Sequence, residues 1–297
     1  MKRAVLIINR HSRRGGEDTS RLAARLRELG LDLIVEEPGD KHEVAGILAR
    51  HRASVDLVVL GGGDGTLSAA APALMAAGRP FAVLPLGTAN DLARTLGVPL
   101  SPEEACAVAA NGQPHRIDLG EVNGHYFFNV ASLGLTAEVK RHLSHDVKRR
   151  WGVAGYALSA LRAVREARGF RAEIHVDGRP AKLRAVQIAV GNGRHYGGGM
   201  TIAWDARIDD HHLDLTAIAP RGPAGLVLLI PGLRRGRLEG RSGVLVERGR
   251  EIHIATDRSM PVSADGDVVT RTPAHFRVVP RALTVMVPRS EASDAAQ

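Results

Sequence analysis

The chain has 297 residues, 44% of them hydrophobic and 24% charged, with a formal net charge of +8. That length suits one large domain or two of ordinary size, and the apolar share excludes a disordered chain. The single cysteine, Cys106, excludes an internal disulfide and fits a reducing cytosol; it reads as a small apolar helix residue, not a nucleophile.

Residues 1–115 alternate strand and helix patterns. Ala4 to Asn9 reads as a short apolar strand and not a secretory leader. Arg21 to Leu29 reads as a helix with Thr19 or Ser20 as its cap and Gly30 as its stop. Leu31 to Val35 is a strand, His42 to His51 a helix, Val55 to Leu60 and Phe81 to Leu84 strands, and Pro102 to Ala110 a closing helix. The pattern predicts a doubly wound parallel sheet. From Arg116 the rhythm becomes β-rich. Asn123-Gly124 and Asp177-Gly178 sit between strand patterns as hairpin signals. Tyr126 to Val130, Ala172 to Val176, Leu183 to Val190, His212 to Ile218, Glu251 to Ala255, Pro261 to Ser263, Val268 to Thr270 and Phe276 to Val279 read as strands. Helical patterns at Thr136 to Trp151 and Val153 to Ala167 interrupt them. The expected fold is α/β with a β-sandwich-like second domain, divided as 1–115 and 116–280. Residues 281–290, with a strand at Leu283 to Val287, return to the first domain. The site is expected in the cleft between the domains.

Two glycine-rich loops carry the chemistry. GGGDGT, Gly61 to Thr66, stands between an apolar strand and an Ala-rich helix. A turn of this kind exposes backbone N–H groups beside a helix N-terminus and suits phosphate. Asp64 inside the glycines suggests a divalent cation with the phosphates. Gly65 is expected to approach them closely. PLGTAND, Pro85 to Asp91, follows the next strand and adds Gly87, Thr88, Asn90 and a second carboxylate, Asp91. Both loops leave the carboxyl ends of strands, where open α/β sheets bind ligands. There is no G-x-x-x-x-G-K-[ST] and no His-Arg-Asp set, which excludes P-loop and protein-kinase sites.

GGGDGTL followed by PLGTANDLAR resembles the diacylglycerol kinase catalytic-domain family, in its bacterial lipid-kinase branch. The relation extends to NAD kinases and 6-phosphofructokinases through the first motif. Asn9, Ser12 and Arg13 match the family's N-terminal nucleotide loop. Asp118 to Gly120, Tyr126 to Gly134, Gly191 to Met200 and Ala264 to Asp267 match later segments, in order, along nearly the whole chain. The resemblance implies ATP as donor, Mg²⁺, and a lipid hydroxyl as acceptor, with diacylglycerol first. Phosphatidylglycerol or a sphingoid base, a soluble-metabolite kinase of the NAD type, and a non-catalytic lipid- or nucleotide-binding regulator are the alternatives. It makes Asp265 the general base and places Asp64, Asp91, Asp118 and Asp267 in a water-and-magnesium network. Asn9, Ser12, Arg13, Gly61, Gly62, Gly63, Asp64, Gly65, Thr66, Gly87, Thr88 and Asn90 would hold the nucleotide. It also implies a structural or regulatory Mg²⁺ on Asp210 and the carbonyls of Leu213 and Leu215, oxygen ligands that suit that ion.

The chain departs from the family pattern at four places. Ser68-Ala69 replaces Asn-Glu, Asp267 replaces Glu, His211 replaces Gly, and Glu36 stands where a nucleotide-contacting Thr is common. Dispersed arginines and an aromatic content of 3% argue against nucleic acid. No apolar run reaches the ~20 residues that span a bilayer. Lys148, Arg149 and Arg150 beside Trp151, Arg141, and Arg234, Arg235 and Arg237 after Leu226 to Leu233 suit an anionic membrane surface. The expected location is cytoplasmic and peripheral at the inner membrane face.

Overall fold

A computed structural model of the protein describes residues 1–8, 15–40, 42–134, 169–196, 200–201, 205–219 and 239–289. The helical patterns expected at 136–151 and 153–167 lie outside the described residues, as do the basic clusters at 141–150 and 234–237. The chain divides into two compact units, residues 1–119, 195–199 and 279–297, and residues 120–194 and 200–278. Among the described residues no helix is long and apolar enough to cross a membrane.

The first unit runs β1 (Lys2–Ile8), α1 (Gly15–Glu28), β2 (Leu31–Glu36), α2 (Glu43–His51), β3 (Leu57–Gly62), α3 (Asp64–Ala77), β4 (Phe81–Pro85), α4 (Asp91–Thr95), α5 (Pro102–Asn111) and the start of β5 (Gln113–Val122). The strands pair in parallel in the order β2-β1-β3-β4. β3 and β4 are buried at every residue. Continuous Val/Leu runs are what a parallel sheet covered on both faces requires. α1 places Leu22 and Leu26, both fully buried, on its inner face. It opens at Gly15, and Thr19 lies inside it at 4% exposure instead of capping it. Ser101 caps α5, accepting the Glu104 N–H, with Pro102 opening the helix. Cys106 is buried in α5, and burial pushes its thiol up to about 11, so it is an inert core residue.

The second unit contains the end of β5, β6 (His125–Phe127), β7 (Val130–Gly134), β8 (Phe170–Val176), β9 (Arg179–Ala185) and β10 (Gln187–Gly191). The two-residue strands β11 (His195–Tyr196), which clusters with the first unit, and β12 (Met200–Thr201) follow. Then come β13 (Leu213–Ile218), β14 (Val244–Gly249), β15 (Glu251–Thr256), β16 (Pro261–Ala264), β17 (Asp267–Arg271) and β18 (Ala274–Val287). One antiparallel sheet has the order β14-β13-β10-β7-β16-β17. Facing it, in a sheet that continues through β18 to β4, the start of β18 pairs antiparallel with β15, β15 with β8 and β8 with β9. Leu133, Ile188, Leu215 and Val262 from one sheet share a buried core with Phe170, Ile174, Ile252 and Phe276 from the other, which makes the unit a β-sandwich.

Two expected strands are split. Tyr126 to Val130 breaks at Phe128-Asn129, and Leu183 to Val190 breaks at Val186. The two expected at the C-terminus are one, β18, whose last residues lie in the first unit with Val285 beside Phe81 in parallel. Within it Arg281 adopts φ +50° and donates its N–H to Asp118 at 2.7 Å. Asp118 is 1% exposed. The carboxylate expected in the magnesium network therefore braces a local distortion of this strand.

Three hairpins turn on Asn123-Gly124, Asp177-Gly178 and Asp265-Gly266, each with both residues at positive φ. That geometry matches the right-handed twist of the flanking strands and explains the residue choice. Asp177 also accepts the N–H groups of Glu251 and Arg250, both at 2.9 Å, and the Glu251 bond above all holds its carboxyl below the usual range. A depressed native pKa means stability that is present above the ordinary carboxylate value and lost as pH falls through the lowered one. Asp177→Gly keeps the turn's backbone freedom and removes the acceptor. It is expected to melt below the parent at pH 7, with the gap closing in acid; a gap that persists unchanged in thermal melts at pH 3 contradicts this account.

Candidate active site

In the first unit the strand order reverses between β1 and β3, the point at which open α/β sheets bind ligands beyond the carboxyl ends of their strands. The loop after β1 carries Asn9, Ser12 and Arg13, which lie outside the described residues. The loop after β3 is Gly63 and the first turn of α3. Its reach is set by contact with the loop after β4. A Cβ on Gly87 would stand 2.4 Å from the Gly63 Cα, and a Cβ on Gly63 would stand 3.0 Å from the Gly87 Cα. Two backbones touch here, and only glycine at both positions permits it. Gly61 and Gly62 are crowded by side chains instead, those of Ile8 and Thr66. Gly65 lies inside α3, and none of the glycines in the two loops is at positive φ. The glycines therefore serve close approach and not left-handed backbone.

Side chains lock the pair of loops. Asp64 Oδ1 accepts the Leu92 N–H at 3.1 Å, tying the first loop to α4. Asn90, at φ +51°, accepts the Gly87 N–H at 2.9 Å and donates to the Gly87 carbonyl at 3.1 Å. Asn90 thus clamps its own loop. Asp91 is buried at 7% exposure at the start of α4, while Thr88 is exposed and Thr66 half-buried. Glu36 faces α2: the His51 hydrogen bond at 2.7 Å, with Arg50 adding, holds its carboxyl below the usual range.

In the second unit Asp265 is pinned against the β6–β7 break. Its carboxylate accepts the N–H groups of Phe128 (2.7 Å), Asn129 (3.0 Å) and Val130 (3.1 Å), and its own N–H donates to the Val130 carbonyl at 3.0 Å. The Phe128 carbonyl accepts from the Asn192 side chain at 2.8 Å, and the Asn129 carbonyl accepts the N–H groups of Asn192 and Gly193. A Cβ on Gly193 would stand 2.6 Å from Asn129 Oδ1. Three segments far apart in sequence, 126–134, 191–193 and 264–267, so meet at one point. Sequence reasoning named the segments but missed Asn192 as the residue that joins two of them. Asp267 is exposed at the start of β17.

The description "Diacylglycerol kinase catalytic domain" matches residues 3–122, and "YegS C-terminal NAD kinase beta sandwich-like domain" matches residues 129–287. A "Probable lipid kinase YegS-like" protein of Pseudomonas aeruginosa is 34% identical over 97% of this chain and 95% of its own length. The chain belongs to the diacylglycerol kinase catalytic-domain family, in its YegS-like branch. A "Diacylglycerol kinase" of Mycobacterium tuberculosis is 32% identical over 90% of this chain and 88% of its own length. A crystal structure of a diacylglycerol kinase from Bacillus anthracis superposes with a TM-score of 0.80 at 26% identity, covering 98% of both chains.

At the Mg²⁺ position that the family resemblance implies, on Asp210, Leu213 and Leu215, the Asp210 carboxylate already has partners. Asp210 Oδ1 accepts the His212 N–H at 3.0 Å, and Oδ2 pairs with the Arg248 guanidinium. Leu215 lies between paired strands, opposite Val190 and Glu247. His211 does adopt φ +64°, the conformation a glycine would enter without strain. Arg248 Nε also lies 3.5 Å from Asp214, whose carboxyl burial pushes up to about 6 despite that neighbour. A guanidinium supplies the positive charge here. Without nucleotide, Mg²⁺ is therefore expected to leave the melting temperature of the parent unchanged. Arg248→Ala should melt lower and regain part of the loss on addition of Mg²⁺. A Mg²⁺-dependent rise in the parent overturns this reading.

Proposed function

We propose that the chain is an ATP-dependent lipid kinase, a phosphotransferase acting on an alcohol group, with diacylglycerol as the acceptor. The observation that carries the reading is the Gly63–Gly87 backbone contact beside the switch point of a parallel sheet. It sets the N–H groups of residues 63–65 at a helix start, while the Thr66 N–H closes the first turn on the Gly63 carbonyl at 2.9 Å. Residues Gly61 to Thr66, Gly87 and Thr88 hold the donor phosphates, with Asn9, Ser12 and Arg13 from the loop after β1. Asp64 is the carboxylate nearest these amides in sequence, and with Asp91 it suits Mg²⁺ accompanying the phosphates. The ion, when bound, neutralises charge on the transferring phosphoryl group. Asn90 and the Asp64–Leu92 bond keep the loops fixed.

Asp265 takes the proton of the acceptor hydroxyl as its oxygen attacks the γ-phosphorus and the bond to ADP breaks. The three backbone N–H groups fix the carboxylate's position, which is what a proton acceptor in phosphoryl transfer needs most. Asp267 and Asp118 are placed differently. Asp267 is exposed and belongs to the water network around the ion; Asp118 acts through the backbone of Arg281. The net charge of +8 draws the protein to an anionic membrane surface from the cytoplasm.

The test is incubation of the purified chain with γ-labelled ATP, Mg²⁺ and vesicles containing diacylglycerol, with phosphatidylglycerol, a sphingoid base and NAD in parallel. Label in the lipid extract at the mass of phosphatidic acid is the expected result, faster on anionic than on zwitterionic vesicles. Label in NAD would make the chain a soluble-metabolite kinase. Label nowhere, with ATP bound, would make it a regulator whose departures at Ser68-Ala69 and Asp267 have removed the activity.

A further inference from the structure

Three strands of the β-sandwich each place a histidine in one row. His175 on β8 is registered with His253 on β15, and His253 with His275 on β18. Their chain neighbours Ile174, Ile252, Ile254, Ala274 and Phe276 are buried, so the three imidazoles stand on the opposite, outer face of the sheet. Glu251, two residues before His253, shares that face. The ligand atoms of Glu251, His253 and His275 all lie within 4.8 Å of one another. The rings of His253 and His275 stack with centroids 4.0 Å apart and planes 15° from parallel. His275 Nε2 is buried and has no hydrogen-bond partner. A shallow recess of about 360 Å³, lined by these rings with Asn123, Glu173 and His175, opens beside them.

Sheet stability does not call for this set. Stacked imidazoles repel when protonated, and a buried ring nitrogen without a partner is a cost. Neither the donor cradle nor Asp265 uses any of these residues. We propose that Glu251, His253 and His275 bind one divalent transition ion, with Zn²⁺ as the representative. Two imidazoles and a carboxylate suit Zn²⁺, Ni²⁺ or Cu²⁺, whereas Mg²⁺ and Ca²⁺ prefer oxygen alone. Metal–ligand bonds of about 2.0–2.2 Å bring such atoms closer together than 4.8 Å, and rotation of exposed side chains suffices. The backbone is already in place, because β15 and β18 are hydrogen-bonded in register. Arg277 lies opposite Glu251, but its guanidinium is held by Glu121 at 2.7 and 2.9 Å. Glu173 lies 3.3 Å from both the His175 ring and the Lys182 ammonium, which keeps His175 upright at the edge of the recess.

The metal-free chain, without nucleotide or lipid, is titrated with Zn²⁺ by calorimetry, and with Co²⁺ by visible absorption. The expected result is a site of one ion per chain. In His253→Asn/His275→Asn it should weaken by more than the roughly 10–100-fold that loss of an outer partner costs. His211→Asn/His212→Asn, which removes another histidine pair, should bind as the parent does. Melting curves of the metal-free variants, showing that each stays folded, should accompany the loss. Equal binding by parent and His253/His275 variant, or loss in the His211/His212 variant alone, overturns the proposal. A kinase assay has no bearing on either outcome.

Discussion

Asp265→Asn is expected to lower phosphoryl transfer by about 10²–10⁴-fold, because an amide cannot take the hydroxyl proton. The same substitution is expected to lower the melting temperature. Asp265 Oδ1 serves Asn129 and Val130, and Oδ2 serves Phe128. An Asn side chain has one carbonyl oxygen and one amide. With the oxygen kept toward Asn129 and Val130, the amide faces the Phe128 N–H, donor against donor. Phe128 is 1% exposed, so that N–H has no solvent to turn to. An unsatisfied buried donor costs about 1–3 kcal/mol. Such a loss leaves a stable domain folded at assay temperature, whereas the rate loss is far larger than any unfolded fraction explains. Turnover measured below the onset of the variant's melting curve separates the two effects. A folded variant with turnover within a few-fold of the parent removes Asp265 from proton transfer.

What the sequence discloses is what short-range chemistry decides. The Asn-Gly and Asp-Gly turns are legible because positive φ at both turn residues selects those types. The apolar runs of β1, β3 and β4 are legible because burial on both faces leaves no room for polar residues. The fates of the carboxylates are less legible, because each depends on a partner far along the chain. Asp118 is engaged by Arg281, Asp210 by Arg248, and Asp265 by the amides of residues 128–130. Nothing local distinguishes an acid that braces backbone from one that meets a substrate. The start of α1 is misread for a related reason. Thr19 has the chemistry of a cap, but tertiary burial places it inside the helix. Glycine is ambiguous in the same way. The sequence cannot say whether Gly65 serves positive φ, nearness to phosphate, or neither, and the structure moves the steric demand to Gly63 and Gly87.

That shift sets the order of effects for alanine at the glycines of the cradle. Gly87→Ala is expected to be the most damaging, costing roughly 10²-fold in transfer, the scale of a misplacement of about 1 Å. Its Cβ would meet the Gly63 Cα at 2.4 Å, against 3.4 Å or more for an ordinary contact. The obstacle is backbone and cannot rotate away, so the loops must part and the amides of residues 63–65 must lose their aim. The Asn90 clamp worsens the conflict, because its Oδ1 lies 2.8 Å from the same Cβ while bonded to the Gly87 N–H. Gly63→Ala should be milder, since its closest contact is 3.0 Å. Gly65→Ala should fold at least as well as the parent, because alanine is favoured over glycine within a helix by up to about 1 kcal/mol. ATP affinity by calorimetry and turnover on diacylglycerol vesicles should therefore fall in the order Gly65, Gly63, Gly87. Loss at Gly65 as large as at Gly87 would mean that the phosphate itself, and not the neighbouring loop, excludes the methyl group. Parent-like affinity in a folded Gly87→Ala would show that the contact between the loops does not shape the cradle.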